Sequence, residues 1–213
     1  LAALAEAGCE ALYLDYVDEA SIHACADAVL ERTGGRLDAL FNNGAYGQVG
    51  AVEDLTTDVL RRQFETNVFG WHELTRQVIP YMRRRGEGRI VQCSSILGLV
   101  PYRYRGAYTA SKFALEGLSV TLRMELEGSG IHVSLIEPGP IASRFTATAL
   151  KHIEAVIDLE NSAHAGEYRR QLARLNGTRP VHPYKLGPQA GSAALKHALT
   201  PPRPRPHYPV TTP

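Results

Sequence analysis

Short apolar runs alternate with longer helical stretches from one end of this sequence to the other, and that order admits few folds. Residues 11–15 (Ala-Leu-Tyr-Leu-Asp), 37–41 (Leu-Asp-Ala-Leu-Phe), 89–93 (Arg-Ile-Val-Gln-Cys) and 131–136 (Ile-His-Val-Ser-Leu-Ile) read as strands, with a last candidate at 208–212. Between them, helical spacing of apolar residues predicts helices over 18–32, 57–84, 106–127 and 188–199, and a looser one over 145–176. Residues 1–7 read as the last turns of a further helix, closed by Gly8. The strands are continuous apolar runs rather than in/out alternations, the mark of a parallel sheet covered by helices on both faces. In such doubly wound α/β sheets, ligands bind beyond the carboxyl ends of the strands. The residues just after Asp15, Phe41, Cys93 and Ile136 are therefore expected to line one crevice.

Composition narrows the classes of function. The 213 residues suit a single domain, and a net charge of +1 supplies no field for a polyanion, so nucleic acid is not an expected partner. No run approaches the roughly 18 apolar residues that span a bilayer, and no signal peptide is visible at Leu1. Three cysteines (Cys9, Cys25, Cys93) without metal spacing fit a reducing compartment, and a cytoplasmic location is expected. The eight histidines form no metal-binding pair, so no metal is expected. Arg83-Arg84-Arg85 reads as a solvated helix end that complements the macrodipole. The proline-rich stretch 201–206 reads as a stiff connector into the last strand rather than a ligand segment.

The chemistry concentrates at strand ends. Tyr108 and Lys112 are four residues apart on a predicted helix, so they share one face. A nearby ammonium stabilises a phenolate and lowers its pKa from about 10 toward neutrality, which lets the phenol exchange a proton with a hydroxyl or carbonyl. Ser95 ends a predicted strand 13 residues before Tyr108, where its hydroxyl could fix a substrate oxygen; strand alternation sends Ser94 to the other face. Asn42-Asn43-Gly44-Ala45 ends another strand; its small residues admit a ring or ribose, and its asparagines could bond that group or tie neighbouring strands. Asn67, three residues before Gly70, suggests a local disturbance of its helix that could hold a water. Pro138-Gly139-Pro140 makes a sharp exit from a strand, with Ile141 and Ser143 just beyond. Each motif taken singly also has a plain reading, as helix packing, an ordinary turn or a loop.

Together these residues resemble the short-chain dehydrogenase/reductase family. The likeness rests on Asn42-Asn43-Gly44-Ala45, Asn67, Ser95, Tyr108-Thr-Ala-Ser-Lys112 and Pro138-Gly139 with Ser143, in order and in register over nearly the whole chain. The resemblance implies a Rossmann-like fold and an NAD(P)-dependent oxidoreductase. Its branch, by the stretch 133–145, resembles enzymes of hydroxysteroids, retinoids and long-chain aldehydes, which interconvert an apolar alcohol with its ketone or aldehyde. It implies Tyr108 as general acid/base, Lys112 as the group that lowers its pKa and binds the nicotinamide ribose, Ser95 as the substrate-orienting hydroxyl and Asn67 as anchor of a relay water. Asp15 would contact the adenine, Asn42, Gly44 and Ala45 the adenine and ribose side, and Pro138, Gly139, Ile141 and Ser143 the nicotinamide. NADP or NAD is the implied cofactor, with NADP favoured. A homodimer or homotetramer of the intact protein is implied through the helices 57–84 and 106–127.

The sequence departs from the family in three places. Asn-Asn-Gly-Ala replaces Asn-Asn-Ala-Gly, and Ser143 stands for the usual threonine with its hydroxyl kept. The glycine-rich turn that cradles the pyrophosphate, and the first two strands, have no counterpart in these residues. The chain therefore reads as an N-terminally truncated fragment, expected to be poorly stable, to bind dinucleotide weakly or not at all, and to be inactive by itself. Residues 145–199 read as a substrate lid, whose apolar Phe145, Leu150, Ile153, Val156, Ile157 and Leu159 could face substrate or pack inward. Two rival readings are a sugar-nucleotide epimerase or dehydratase, which shares the Tyr/Lys pair, and a non-catalytic relative that keeps only the fold. Substrate identity and reaction direction are not encoded in these motifs.

Overall fold

A computed structural model describes residues 4, 6–143, 145–175 and 185–211. Four strands, β1 (Ala39–Asn42), β2 (Gly88–Cys93), β3 (Ile131–Glu137) and β4 (His207–Pro209), form one parallel sheet in the order β1-β2-β3-β4. The helices are α1 (Glu19–Arg32), α2 (Thr57–Phe64), α3 (Gly70–Arg85), α4 (Gly106–Glu125), α5 (Phe145–Val156), α6 (Ala165–Leu175) and α7 (Pro188–Leu199). This is the α/β, Rossmann-like doubly wound arrangement expected from the alternating runs.

Neighbouring residues of β2 show why the strands are apolar throughout. Ile90 packs with Val78 and Met82 of α3, Leu122 of α4 and Val133 of β3. Val91 packs on the opposite face with Ala194, Leu195 and Ala198 of α7. Both are essentially inaccessible, as period-2 alternation under helices on both faces requires. Asn42 lies opposite Gln92, and Gln92 opposite Leu135, so three strands end level. Residues 43–45, 94–95 and 138–143 consequently emerge from the same edge of the sheet.

Local chemistry sets the helix ends. Asp18 caps α1 by accepting from Ala20 N, and Thr56 caps α2 by accepting from Val59 N, interactions each worth about 1 kcal/mol. α3 stops at Gly86, which takes the left-handed conformation at φ 70°. Residues 65–69 between α2 and α3 form a π turn, with Gly70 N–H reaching back to Glu65 O. The disturbance expected near Asn67 is thus real, and it divides the 57–84 helix in two. Gly70 lets the chain pass close by, since a Cβ there would lie 2.3 Å from Tyr16 O.

Three expectations need correction or placement. Residues 11–15 do not form a strand. A strand exists through its ladder, and among the described residues no neighbour pairs with this segment. Instead Leu14 and Tyr16 pack on Ile22, Ala26 and Leu74, and Asp15 N donates to Ser21 Oγ as the chain enters α1. The last strand is His207–Pro209 rather than 208–212; Thr212 lies outside the described residues, as does most of the segment 1–7. The proline-rich stretch is a connector held along its backbone: Arg89 donates to Pro201 O, Ser134 to Arg205 O and Leu135 N to Pro206 O.

The apolar residues after Ser143 divide. Ile153 and Ile157 are buried with Val49, Ala51 and Tyr168, and Val156 and Leu159 pack against that cluster. Among the described side chains of this set, Phe145 is the one that turns toward the sheet edge, over Tyr108; the Leu150 side chain lies outside the description. α7 covers the sheet rather than the strand ends.

Candidate active site

Ser95, Tyr108 and Lys112 meet at the carboxyl edge of the sheet. Ser95 follows β2 in an extended conformation and caps the short helical turn Ile96–Gly98, its Oγ accepting from Leu97 N at 3.1 Å. The same hydroxyl lies 3.4 Å from Pro138 O, which also accepts from Ile96 N, so the turns after β2 and β3 are locked together. Tyr108 sits in the first turn of α4, with its phenol within hydrogen-bonding influence of Ser95. Lys112, one turn further, is 1% exposed; its Nζ donates to Cys93 O at 2.7 Å and lies 5.7 Å from the Tyr108 ring centre. Ser94 points elsewhere, toward Gly98 and Glu116 on the opposite side of the turn.

The electrostatics differ from the expectation. Burial pushes the Tyr108 phenol above its ordinary value, against a smaller downward pull from Ser95, and the Cys93 thiolate would add to the rise. Lys112 is held by two neighbouring groups. Its ammonium is drawn to the Cys93 carbonyl and to the face of Trp71, 4.4 Å from the ring centre. Burial likewise pushes Lys112 down to about 8, offset in part by Cys93 and Glu116. Phe145 contributes to the desolvation: its ring stands 5.4 Å from that of Tyr108, and the pair closes over Gly47, where a Cβ would lie 2.7 Å from Phe145 Cζ.

Asn67 is fully buried and joins this group through backbone and hydroxyl partners. Its Nδ2 donates to Tyr46 O at 2.9 Å and to Ser111 Oγ at 3.2 Å, its Oδ1 accepts from Tyr46 N at 3.3 Å, and Ser111 Oγ in turn donates to Tyr108 O at 2.7 Å. Asn42 uses its amide to tie elements, donating to Thr75 Oγ1 at 3.1 Å and Gln92 Oε1 at 2.9 Å, while its buried Oδ1 has no partner among the described residues. Gly44 is overlaid by the Tyr16 ring, and its carbonyl accepts from Trp71 Nε1 at 2.8 Å; Ala45 follows, half-buried. Gly139 is required where it stands, because a Cβ would fall 1.8 Å from Thr211 Oγ1. Ile141 bridges to Leu186, and Ser143 Oγ accepts from Phe145 N at the start of α5. Asp15 stands apart from Tyr108, its carboxylate accepting from Val17 N. Sequence reasoning passed over Ser111 and Trp71, and left open whether Phe145 faces substrate or packs inward. The first two were signalled by spacing: Ser111 precedes Lys112 on α4, and Trp71 lies four residues beyond Asn67 on the same face.

Among the described residues two groups could offer metal ligands: Glu19, His23 and Glu73, and Glu116, Glu137 and His207. Partners within the protein already engage them. Arg76, Gln77 and His23 hold Glu73 down to about 2, and Glu137 accepts from Tyr208 N with His207 Nδ1 2.6 Å away. Among the described residues no helix is long and apolar enough to cross a membrane.

This arrangement, a serine hydroxyl and a phenol gathered with a buried ammonium at the mouth of a parallel sheet, can orient a carbon–oxygen bond and exchange a proton with it. Comparison with known proteins identifies the family. The family model described as short chain dehydrogenase matches residues 1–154. An uncharacterized oxidoreductase of Escherichia coli (strain K12), YbbO, is 38% identical over 204 residues, which is 96% of this chain and 70% of that one. Human 17-beta-hydroxysteroid dehydrogenase type 1 is 38% identical over 149 residues, 70% of this chain and 44% of its own length. The crystal structure of a short chain dehydrogenase/reductase from Burkholderia phymatum in complex with NAD superposes with a TM-score of 0.80 at 25% identity, covering 98% of this chain and 74% of that one. With the strand-end geometry and these likenesses in agreement, the chain belongs to the short-chain dehydrogenase family.

Proposed function

We propose that the chain is an NAD(P)-dependent oxidoreductase that interconverts an apolar alcohol and its ketone or aldehyde. The observation that carries this reading is the convergence of Ser95, Tyr108 and the buried Lys112 at one edge of the sheet, with Lys112 Nζ 5.7 Å from the Tyr108 ring centre. Ser95 orients the substrate oxygen, and Tyr108 exchanges the proton. Kept protonated by burial, the phenol is in the form that donates to a carbonyl oxygen, as the reduction direction needs. Phe145 excludes water from that proton. Asn67, through Ser111, holds the turn of α4 that carries Tyr108, and anchors the relay that returns the proton from solvent.

The residues fit a nicotinamide dinucleotide at its nicotinamide end. Lys112 offers three N–H donors and has one oxygen partner among the described residues, Cys93 O, so a ribose diol can take the others. Gly44 and Ala45 allow close approach on one side, and Pro138, Gly139, Ile141 and Ser143 line the other, with Asn42 fixing the strand end and Asp15 on the adenine side. When bound, the cofactor supplies or accepts the hydride. NADP is the form favoured, by the family resemblance. An apolar substrate is supported by the relative named for a hydroxysteroid and by the Phe145 ring at the mouth. Within a single Rossmann-like domain the lid region, expected over 145–199, narrows to its α5 and α6 part, since α7 covers the sheet. Exposed Leu60, Phe69, Phe113 and Leu118 on and beside α2, α3 and α4 support a homodimer or homotetramer.

Turnover of a panel of hydroxysteroids, retinoids and long-chain aldehydes, followed by nicotinamide absorbance with NADP and with NAD, tests the reading in the intact protein. Tyr108→Phe is expected to lower the rate by roughly 10²–10⁴-fold. Unchanged turnover in that variant ends the proposal.

A further inference from the structure

Trp71 is the chain's single tryptophan, fully buried on α3. Three contacts place it at a junction. Its Nε1–H donates to Gly44 O at 2.8 Å, its ring carries the Lys112 ammonium at 4.4 Å, and Tyr16 lies tilted against it at 6.2 Å. An ammonium over an indole face is held by the ring quadrupole, and more strongly where water is excluded. Lys112 is in such a place. Its hydrogen bond goes to a neutral carbonyl, and beside the Cys93 thiol and the Glu116 carboxylate the indole face is a further group that favours its charge.

We propose that Trp71 is a positioning residue, whose ring seats the Lys112 ammonium while its N–H fixes the Gly44 turn. One rigid side chain thereby sets the distance between the lysine and the strand-end strip on which a ribose would lie. The catalytic consequence rests on the oxidoreductase reading above; the pairing itself does not. An aliphatic residue at 71 removes the seat, so Lys112 loses its proton at lower pH and its Nζ gains freedom. Phenylalanine keeps a ring for the cation but leaves Gly44 O without its donor.

Two measurements test this. Emission of Trp71 in the unmodified chain, followed against pH, is expected to show a step centred near the Lys112 value of about 8 that is absent in Lys112→Met. The same profile in both proteins overturns the pairing. In the intact enzyme, Trp71→Leu is expected to move the pH–rate limb that Lys112 controls downward by about 0.5–1.5 units and to raise the cofactor KM, with a smaller pH shift in Trp71→Phe. Equal loss of kcat in both variants with no movement of the limb marks a merely structural tryptophan and overturns the proposal. A Lys112-dependent emission step together with no turnover in the intact protein upholds the pairing and removes the oxidoreductase reading instead.

Discussion

Replacing Asn67 with alanine removes a fully buried amide, and the structure allows the loss to be worked out group by group. Tyr46 O loses the Asn67 Nδ2 donor but still accepts from Gln63 Nε2 at 2.9 Å. Ser111 Oγ loses one donor but still bonds Tyr108 O at 2.7 Å. The group left without a partner is the Tyr46 N–H, and an orphaned buried donor costs about 1–3 kcal/mol. Alanine's better helix propensity returns about 0.5 kcal/mol. A net loss of roughly 1–3 kcal/mol is expected, which lowers Tm by about 2–4 °C per kcal/mol in a domain of this size. Gln63→Ala should cost a similar amount by orphaning Gln48 N–H, which now donates to Gln63 Oε1 at 2.7 Å. The double variant also strips Tyr46 O of both donors, so its loss should exceed the sum of the single losses by about 1 kcal/mol. Urea unfolding followed by Trp71 emission measures all three. Strict additivity, or a loss below about 0.5 kcal/mol for Asn67→Ala, refutes the accounting.

Two further outcomes follow from buried groups. Lys112 is held near pKa 8 in the folded chain against 10.5 unfolded, so between those values the unfolded state binds more protons and stability rises with pH. The stability of the wild type minus that of Lys112→Met should therefore climb by about 1.4 kcal/mol per pH unit through that window; a flat or falling difference contradicts the burial of the charge. Tyr168 is fully buried, its hydroxyl accepting from Ala51 N at 2.8 Å and donating to Asp54 Oδ2 at 2.5 Å. Tyr168→Phe leaves Ala51 N–H unpaired while Asp54 keeps Ser162, so α6 should loosen by about 1–3 kcal/mol, seen as faster hydrogen exchange there; unchanged protection sinks the idea.

Periodicity and punctuation are local properties, and they were legible. The apolar runs at 89–93 and 131–136 predicted strands buried on both faces, and Ile90 and Val91 show those faces occupied by different helices. The asparagine three residues before Gly70 predicted a disturbed helix, and a π turn lies there. The run at 11–15 misled because a strand needs a neighbour, and pairing is a property of two segments rather than one. The apolar residues of α5 were ambiguous for a related reason. Their spacing marks a buried stripe, but Val49, Ala51 and Tyr168, distant in sequence, determine that Ile153 and Ile157 turn inward.

By itself the sequence determined that Tyr108 and Lys112 share a helix face, that Ser95 stands at a strand end, and that all three approach one edge of a parallel sheet. Four residues make little more than one helical turn whatever surrounds them. Only the tertiary structure decided their charges. Burial raises the phenol, and the Cys93 carbonyl and the Trp71 ring are the partners the ammonium takes. A pKa answers to every dipole, charge and displaced water around a group, and that environment is assembled only when distant segments pack.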